Sequence, residues 1–168
     1  MITDTLVNFN LHVDGRGMAG KISKHKPVAI KVKTEGFSAG GMAAEVDVPM
    51  GSIEKMETEF SLTGYNTNVL KLLGLLPGNS VPLTARGSTA GQDGVQKAIV
   101  CQMRGHITEV EADEWEPAKK VEIKIKMAVE YYLFQVAGET IHEVDAINCV
   151  AVIGGVDQLA TVRQNLGL

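Results

Sequence analysis

Histidine and carboxylate side chains are the groups in this sequence best able to bind a metal ion or to transfer protons. His106 and Glu109 stand three positions apart, and on a strand that spacing points two side chains to opposite faces of the sheet. His142, Glu143 and Asp145 lie near the predicted end of a strand, where Glu143 and Asp145 can share a face. A solvated edge or a subunit contact explains this group better than a metal site, which needs converging ligands. We therefore predict no metal site.

Nucleophiles and ligand-binding motifs are equally sparse. Cys101 lies within the apolar run AIVCQM with no base beside it, and the sequence has no G-x-S-x-G motif. The acidic run 109–116 lacks the ordered oxygen ligands of a calcium loop. Residues 15–20 match G-x-G-x-x-G, but they fall in a predicted hairpin and not between a strand and a helix. The pattern predicts neither an enzyme nor a bound cofactor.

The composition is that of an ordinary globular protein. The chain has 168 residues, of which 45% are hydrophobic and 21% are charged, so we expect one domain spanning residues 1–168. The net charge of -4 gives no sign of a protein that grips nucleic-acid phosphates. No Sec signal and no apolar stretch of bilayer length are present, which predicts a soluble protein made in a cytoplasm, with its two cysteines reduced and buried.

Alternation of apolar and polar residues predicts strands along most of the chain. It is clearest over residues 28–37, 53–63 and 119–134, whereas residues 21–26 are predicted to be a basic connector. In the last of these strands, Val129, Tyr131 and the other odd positions share the apolar face. A helix is predicted over residues 66–73. A second is predicted in residues 155–168, with an apolar stripe of Val156, Leu159, Val162 and Leu166. The stripe could pack on its own domain or dock on another subunit, and we favour packing on its own domain.

About eight or nine strands follow one another through short turns, such as the one at Asp14-Gly15. This order favours a mainly β fold over an alternating βαβ layout. We predict an antiparallel β-sandwich or barrel-like domain with one internal flanking α-helix and a short C-terminal helix.

Several of these strands have one apolar face and one face of interspersed lysine and glutamate. An ordinary sandwich with a solvated outer face would show this pattern. A ring subunit would show it too, if strands of neighbouring subunits formed a shared inner barrel whose polar face lined a channel. Periodicity alone leaves both interpretations open.

Four segments, in order along the chain, resemble the major tail tube proteins of contractile-tailed bacteriophages and R-type tailocins. They are NFNLHVDGRGMAG at residues 8–20, VKTEGFSAGGMAAEVDVPMG at 32–51, METEFSLTG at 56–64, and the last forty residues, where GETIHEVDAIN precedes GGVDQLATVRQNLGL. Each motif is weak alone. Four of them in the family's order, in a chain of suitable length, are specific.

The resemblance implies a structural subunit and not an enzyme. Six copies would close into a ring, and rings would stack into a hollow tube that is driven through the target envelope when a surrounding sheath contracts. Its partners would be further copies of itself, the tail sheath protein, the tape measure protein, the baseplate hub and the tail terminator. In a phage, DNA would be transported cargo and would not be specifically bound; in a tailocin, the tube would form an open channel. The expected location is the virion tail or tailocin particle, assembled in the bacterial host cytoplasm.

Two sets of residues are candidates for roles in such a tube. A glycine-bearing segment would contact the adjacent ring through Ala39, Gly40, Gly41, Met42, Ala43 and Val46. Acids on the polar strand faces would line the lumen, namely Glu57, Glu59, Glu122 and Glu130. A six-membered ring would carry about -24 formal charges, so an acidic lumen would repel DNA phosphates.

Two other functions compete with this interpretation. A type VI secretion tube has the closest architecture, although the terminal motifs favour the phage and tailocin branch. A carbohydrate-binding module would also suit a β-sandwich, but such sites use exposed aromatic residues, and aromatic content here is only 5%.

Overall fold

Antiparallel strands make up most of the computed structural model, which describes residues 3–168. Ten strands form one sheet, in which β12-β11-β10-β9-β8-β7-β1-β2 are successive neighbours and the pair β3-β6 joins through β9. Strands β4 and β5 form a separate two-stranded ribbon. The strands are β1 (Thr5–Val13), β2 (Arg16–Gly17), β3 (Ile22–Lys26), β4 (Val32–Phe37), β5 (Val46–Ile53), β6 (Met56–Thr63), β7 (Val81–Ala90), β8 (Gln96–Ala112), β9 (Glu122–Val136), β10 (Glu139–Asp145), β11 (Val150–Ile153) and β12 (Val156–Asp157). The described residues also contain two helices, α1 (Thr67–Leu70) and α2 (Ala160–Leu166). The mainly β, antiparallel prediction is confirmed.

Strand β9 holds the sheet together because it pairs with three other strands. One edge of β9 pairs with β8 over residues 123–136. The other edge pairs with β6 over residues 122–129 and with β10 over residues 131–136. The sheet therefore divides beyond β9 into a branch through β6 and β3 and a branch through β10, β11 and β12.

The hydrophobic core lies on the inner face of this curled sheet. Phe60 on β6, Leu11 on β1, Leu83 on β7 and Ile125 on β9 are all almost fully buried. One buried cluster joins these strands, so the sheet wraps around it in a barrel-like manner. Helix α1 adds Val69 to the cluster.

Helix α1 begins where the sequence predicts but is shorter than predicted. The side chain of Asn66 caps it by accepting a hydrogen bond of 3.1 Å from the Asn68 backbone N–H. The helix ends at Leu70, whereas the pattern predicted residues 66–73. One turn is enough to bury Val69, and the leucine-rich residues 71–80 that follow, which contain Gly74 and Pro77, continue as an irregular segment.

Two β-bulges change the faces that simple alternation predicts. Opposite Gly105 and Arg104 of β8 stand Val129 and Tyr131, so Glu130 is an extra residue in β9. Alternation therefore reverses after Val129, and Tyr132 is buried where Tyr131 was predicted to be.

A second bulge lies between Ile107 and Glu109 in β8. It places His106 opposite Ala128 and Glu109 opposite Lys126, and alternate residues of β9 share one face. His106 and Glu109 therefore lie on the same face, so the prediction of opposite faces was wrong.

Other differences concern strands that the sequence pattern did not reveal. Residues 21–26, predicted to be a basic connector, contain β3, which pairs with β6. Residues 28–31 lie outside β4, although Val28 is buried. The short strands β11 and β12 were not predicted, and counting them brings the described strands to twelve.

The C-terminal helix is present, but its apolar stripe is exposed. Helix α2 buries none of its residues, and Val156, Val162 and Leu166 are exposed. Only Leu159, just before the helix, is half-buried, so the prediction that the stripe packs on its own domain was wrong for the other three residues. Polar contacts hold the segment instead, because Arg163 pairs with Asp157 and donates a 2.8 Å hydrogen bond to the Cys149 carbonyl. No helix in residues 3–168 has the length and apolar character needed to cross a membrane.

Gly105 provides a test of the β8–β9 pairing. A Cβ at this buried position would overlap the carbonyl oxygen of Ala128 and lie 2.8 Å from its carbonyl carbon. Because backbone cannot move aside as a side chain can, Gly105→Ala should destabilise the subunit by about 3 kcal/mol. Thermal unfolding followed by circular dichroism measures the change. The matched control is Gly40→Ala, where an added Cβ meets nothing within 4 Å; equal stability of the two variants would contradict the strand packing described here.

Candidate functional site

The ribbon of β4 and β5 is an arm that lies away from the core. The strands pair with each other from Val32–Ile53 to Phe37–Val46, and no other strand of the described chain pairs with them. Every residue of β4 and all but the last of β5 are exposed. At the base, the Glu54 N–H donates a 2.8 Å hydrogen bond to the Lys31 carbonyl.

The arm exposes an unusual number of large apolar side chains. They are Val32, Phe37, Met42, Val46, Val48 and Met50, with Phe37 at 55% and Met42 at 39% exposure. An isolated two-stranded hairpin is marginally stable in water, and exposed apolar groups concentrated on one element indicate an interaction surface. We therefore expect the arm to contact another protein surface.

The tip of the arm contains most of the residues that the sequence nominates for contact between rings. The structure brings Ala39, Gly40, Gly41, Met42 and Ala43 together in one turn, with Val46 at the start of the return strand. The Met42 N–H donates to the Ala39 carbonyl at 3.2 Å, and the Ala39 N–H donates to the Met42 sulfur at 3.3 Å. All six residues are exposed.

The four acids nominated for the lumen share one polar face of the sheet. In the β6–β9 register, Glu57 stands opposite Ala128, Glu59 opposite Lys126 and Thr63 opposite Glu122. The bulged residue Glu130 contacts His106, which lies on this same face. We call the surface formed by the outward side chains of β3, β6, β9 and the second half of β8 the polar face.

Each of these acids has a partner within the subunit. Lys55 Nζ lies 2.8 Å from Glu57 Oε1, and Lys124 Nζ lies 2.9 Å from Glu59 Oε1. The hydrogen bonds from these lysines lower the pKa of both glutamates. Ser23 Oγ donates to Glu122 Oε1 at 2.7 Å, and His106 Nε2 lies 2.7 Å from Glu130 Oε1. Sequence reasoning missed the partners of Glu59, Glu122 and Glu130 because pairing between strands decides them. Lys55 and Glu57 stand two positions apart, so their pairing was available from alternation alone.

Counting its charges shows that the polar face is nearly balanced and not acidic. It carries six glutamates and four lysines, with a fifth lysine just before β6 beside Glu57; these residues are Glu57, Glu59, Glu109, Glu111, Glu122 and Glu130 with Lys24, Lys26, Lys124 and Lys126, and the adjoining Lys55. One row across the strands alternates in sign, in the register that joins Lys26, Glu59, Lys126 and Glu109. Opposite charges in directly facing positions stabilise a sheet. The charges of this face are therefore suited to pairing with one another and not to binding an ion.

His106 lies on the polar face, and each of its two ring nitrogens lies near a hydrogen-bond acceptor. Its Nδ1 lies 3.0 Å from the Asn79 carbonyl oxygen, and its Nε2 contacts the Glu130 carboxylate. Because both ring nitrogens face acceptors, the doubly protonated ring is favoured. The hydrogen bond to Asn79, together with Glu130, raises the pKa of His106 above its ordinary value of 6.5.

The remaining chemical candidates do not form a reactive site. Tyr131 donates to Glu143, and Asn148 donates to Asp145, so these carboxylates are used in local structure. The His142 ring stacks on Phe134. No group of three or more potential ligands gathers within residues 3–168 to hold a metal ion. Both cysteines are free thiols; Cys101 is buried, but Cys149 is only half-buried, which corrects part of the prediction.

The raised pKa of His106 predicts a pH-dependent contribution to stability. A group whose pKa is higher in the folded state stabilises that state when protonated. Wild-type protein should therefore gain stability relative to His106→Gln as pH falls through the raised pKa, and the gain should be complete below about 6.5. Thermal unfolding of both proteins between pH 8.5 and 5.5 measures this difference. A constant difference across that range would show that His106 does not titrate in these contacts.

Comparison with known proteins places these surfaces in context. The family model described as phage tail tube protein FII matches residues 3–167, which is nearly the whole chain. The tail tube protein of Escherichia phage P2 is 28% identical over 162 residues, covering 95% of this chain and 94% of that protein. The resemblance seen in the sequence motifs is thereby confirmed.

Solved structures support the fold independently of sequence. One is the sheath/tube terminator of the PVC extracellular contractile injection system in its extended state, with a TM-score of 0.57 and 10% identity over 77% of this chain and 94% of that one. Another is from the sheath–tube complex of that system, with a TM-score of 0.53 and 11% identity over 76% of this chain and 88% of that one. Both are similar to this chain in fold, and the match to the family model extends over almost all of it. The chain belongs to the phage tail tube protein FII family.

Proposed function

We propose that six copies of this chain form a ring, and that rings stack coaxially into the hollow inner tube of a contractile tail. The observation that carries the proposal is the family match across residues 3–167. Membership makes the chain a structural tail tube protein and a component of the tail particle, not an enzyme. The ring, the stacking and the cargo are the parts that we propose. We also propose that residues 1–168 act as one structural unit.

In this proposal, one part of the sheet forms the wall of the channel. Strands β3, β6, β9 and the second half of β8 form a four-stranded block whose neighbours all run antiparallel. Six such blocks give about 24 strands. With strands about 4.8 Å apart and tilted by about 40°, they close into a barrel roughly 45–50 Å across at the backbone. Subtracting about 5 Å of side chains from each wall leaves a channel wide enough for a DNA duplex.

The polar face of the block suits the lining of that channel. Its charges are almost balanced, and each of the four candidate acids has a partner within the subunit. Neutralised pairs attract phosphate weakly, since affinity for DNA comes from uncompensated lysine and arginine. DNA would therefore slide past as cargo and would not be bound. Low affinity in this proposal comes from paired charge and not from the strongly acidic lining suggested by net charge alone.

The arm of β4 and β5 provides the contact between stacked rings. It leaves the block beside the first residue of β6, since only two residues separate Ile53 from Met56. The opposite end of the block carries the β8–β9 connection, where Trp115 is 83% exposed and donates a 2.7 Å hydrogen bond to Tyr65. Stacking in one direction is a heterologous contact, which requires different surfaces at the two ends of the subunit. The arm and the Trp115 end meet that requirement.

Other partners are proposed from the family resemblance. The tail sheath protein would surround the tube, and the tape measure protein would lie within it. The baseplate hub would start the tube and the tail terminator would close it. The particle would be a virion tail or a tailocin, assembled in the host cytoplasm.

Deletion of Ala39–Ala44 tests the role of the arm. The deletion removes the tip but none of the core, so the subunit should keep its far-ultraviolet circular dichroism and melting temperature. Its ability to stack should be lost, because the exposed apolar tip would no longer reach a neighbour. Negative-stain electron microscopy should then show single rings without tubes.

Met42→Ala is the graded control for the deletion, since it keeps the length of the arm and removes its largest exposed tip side chain. It should shorten tubes or raise the concentration at which they form. Full-length tubes from the deletion variant would rule out the arm as the contact between rings.

Charge reversal on the polar face tests whether that face lines the channel. Glu57→Lys replaces an exposed paired acid by a base and leaves an uncompensated positive pair with Lys55. We expect tubes to assemble normally and DNA ejection to slow, because new positive charge in the channel binds phosphate. Ejection is measured by dye release from purified particles. Glu139→Lys, which reverses an exposed acid outside the polar face, is the matched control; equal ejection rates for both variants would remove Glu57 from the lining.

A further inference from the structure

An apolar cavity of about 600 Å³ lies between the segment that follows β3 and the other half of the sheet. Residues 25–30 form one wall, and residues of β1, β7, β8, β9 and β10 form the other. Phe9, Ile30, Ile99 and Phe134 line the cavity and are only half-buried, because no side chain of residues 3–168 fills it. A cavity of this size and lining is typical of a binding site.

The lining of the cavity favours an apolar occupant. Asp4 and Arg86 contribute opposite charges to it. Burial lowers the pKa of His25, so this ring is neutral at pH 7. The walls therefore suit an apolar side chain better than an ion.

Two leucines between α1 and β7 are the complementary feature. Leu75 is 93% exposed and Leu76 is 74% exposed, and nothing in the described chain covers them. Exposed apolar groups that stand together indicate an interaction surface. We call Leu75 and Leu76 the leucine knob.

The segment that carries the leucine knob is anchored. On one side Leu72 packs against the buried cluster, and on the other the Asn79 carbonyl oxygen lies 3.0 Å from His106 Nδ1. Asn79 Nδ2 also donates a 3.5 Å hydrogen bond to the Leu76 carbonyl. A Cβ at Gly74 would lie 2.7 Å from the Asn79 side chain, so the segment closes tightly on itself. The knob is thus held in place before any partner binds.

The leucine knob and the cavity lie on opposite flanks of the four-stranded block. The knob precedes β7 and is anchored at His106 of β8, whereas residues 25–30 follow β3 at the other edge. In the proposed barrel, the β8 flank of each copy stands beside the β3 flank of the next. The barrel accounts for that layer alone and does not say what joins the copies outside it.

Charge near the two features is complementary. Residues 24–33, which include the cavity wall, contain four lysines and no acid. Residues 106–112 of β8, on the flank of the knob, contain two acids and no lysine or arginine. Opposite charge on the two flanks favours the approach of a knob to a neighbour's cavity.

The apolar stripe of α2 is a less suitable occupant. Helix α2 follows β12, on the branch through β10 that leaves β9 from the same edge as β6 and β3. The stripe therefore lies on the same flank as the cavity. Copies in one ring bring unlike flanks together, so the stripe of a neighbour does not reach the cavity.

We propose that Leu75 and Leu76 of each copy insert into the apolar cavity of the next copy in the ring. The partner is a second copy of this chain, and the inference rests on the proposed ring. A projecting group that fits a cavity elsewhere on the same molecule makes a heterologous contact, which gives a ring when the rotation between copies closes. Burial of each leucine should strengthen the association between copies roughly tenfold or more.

Disulfide cross-linking tests the insertion. Leu76→Cys with Ile99→Cys places one thiol on the knob and one in the cavity wall, with Cys101→Ala and Cys149→Ala removing the native thiols. Diamide takes up the two hydrogens when two thiols join, and the bond forms only where the Cα atoms lie within about 7 Å. Oxidised rings should give a ladder that ends at six copies on non-reducing electrophoresis. Asn68→Cys with Ile99→Cys, in which the first thiol is exposed on α1, is the matched control and should give no ladder.

Replacement of the knob is the second test. Leu75→Ser with Leu76→Ser removes only exposed apolar groups, so the melting temperature of the single subunit should not fall. The concentration needed for rings, measured by analytical ultracentrifugation, should rise by about 100-fold. Val156→Ser with Leu166→Ser removes two exposed apolar groups of the α2 stripe and should form rings like wild type.

The outcomes separate the two proposals. Rings that form as readily without the two leucines, or assembled rings that give no ladder, would each overturn the insertion and leave the proposed tube intact. A ladder beyond six copies, or a disulfide within one copy, would also overturn it, because the knob would then fill a cavity outside its ring or its own. If the cysteine variant does not assemble, the serine variant decides. Wild-type protein that forms no ring would contradict the proposed function and the insertion with it.

Discussion

Pairing of β9 along both of its edges is the interaction on which the rest of this structure depends. Its inward side chains, including Ile125 and Met127, are at the centre of the buried cluster. Its outward side chains, including Lys124 and Lys126, supply the bases that pair with glutamates of β6 and β8. One strand thus organises both the core and the polar face.

The same sheet remains incomplete in a single subunit. Two edges of the block, the apolar arm and the stripe of α2 all lack a cover within the described chain. In a protein that works alone these features would promote aggregation. In the proposed tube they would have distinct uses, because sideways pairing would close a ring and an arm at one end would join rings. The core stabilises the subunit, and we propose that the uncovered surfaces direct its assembly.

The sequence allowed much of the fold to be predicted, since strands with one apolar face have a period of two that needs no tertiary information. For the same reason it placed Glu57 and Glu59 on the polar face of one strand, and Glu122 and Glu130 on the polar face of another. Strand β3 was not predicted because its lysines suit an edge strand as well as a connector. The bulges at Glu130 and Thr108 were not predicted because they arise from pairing with the neighbouring strand, which the sequence pattern does not reveal. The partners of Glu59, Glu122 and Glu130 depend on pairing between strands too.

Electron cryo-microscopy of the purified protein, across a concentration series and with baseplates as initiators, tests the central claim most directly. We predict six-membered rings that stack into hollow tubes, with the polar face of β3, β6, β9 and β8 lining the channel and the arm bridging successive rings. A protein that stays monomeric at every concentration and also fails to extend on baseplates would contradict this account. Tubes whose channel is lined by another surface would contradict it as well.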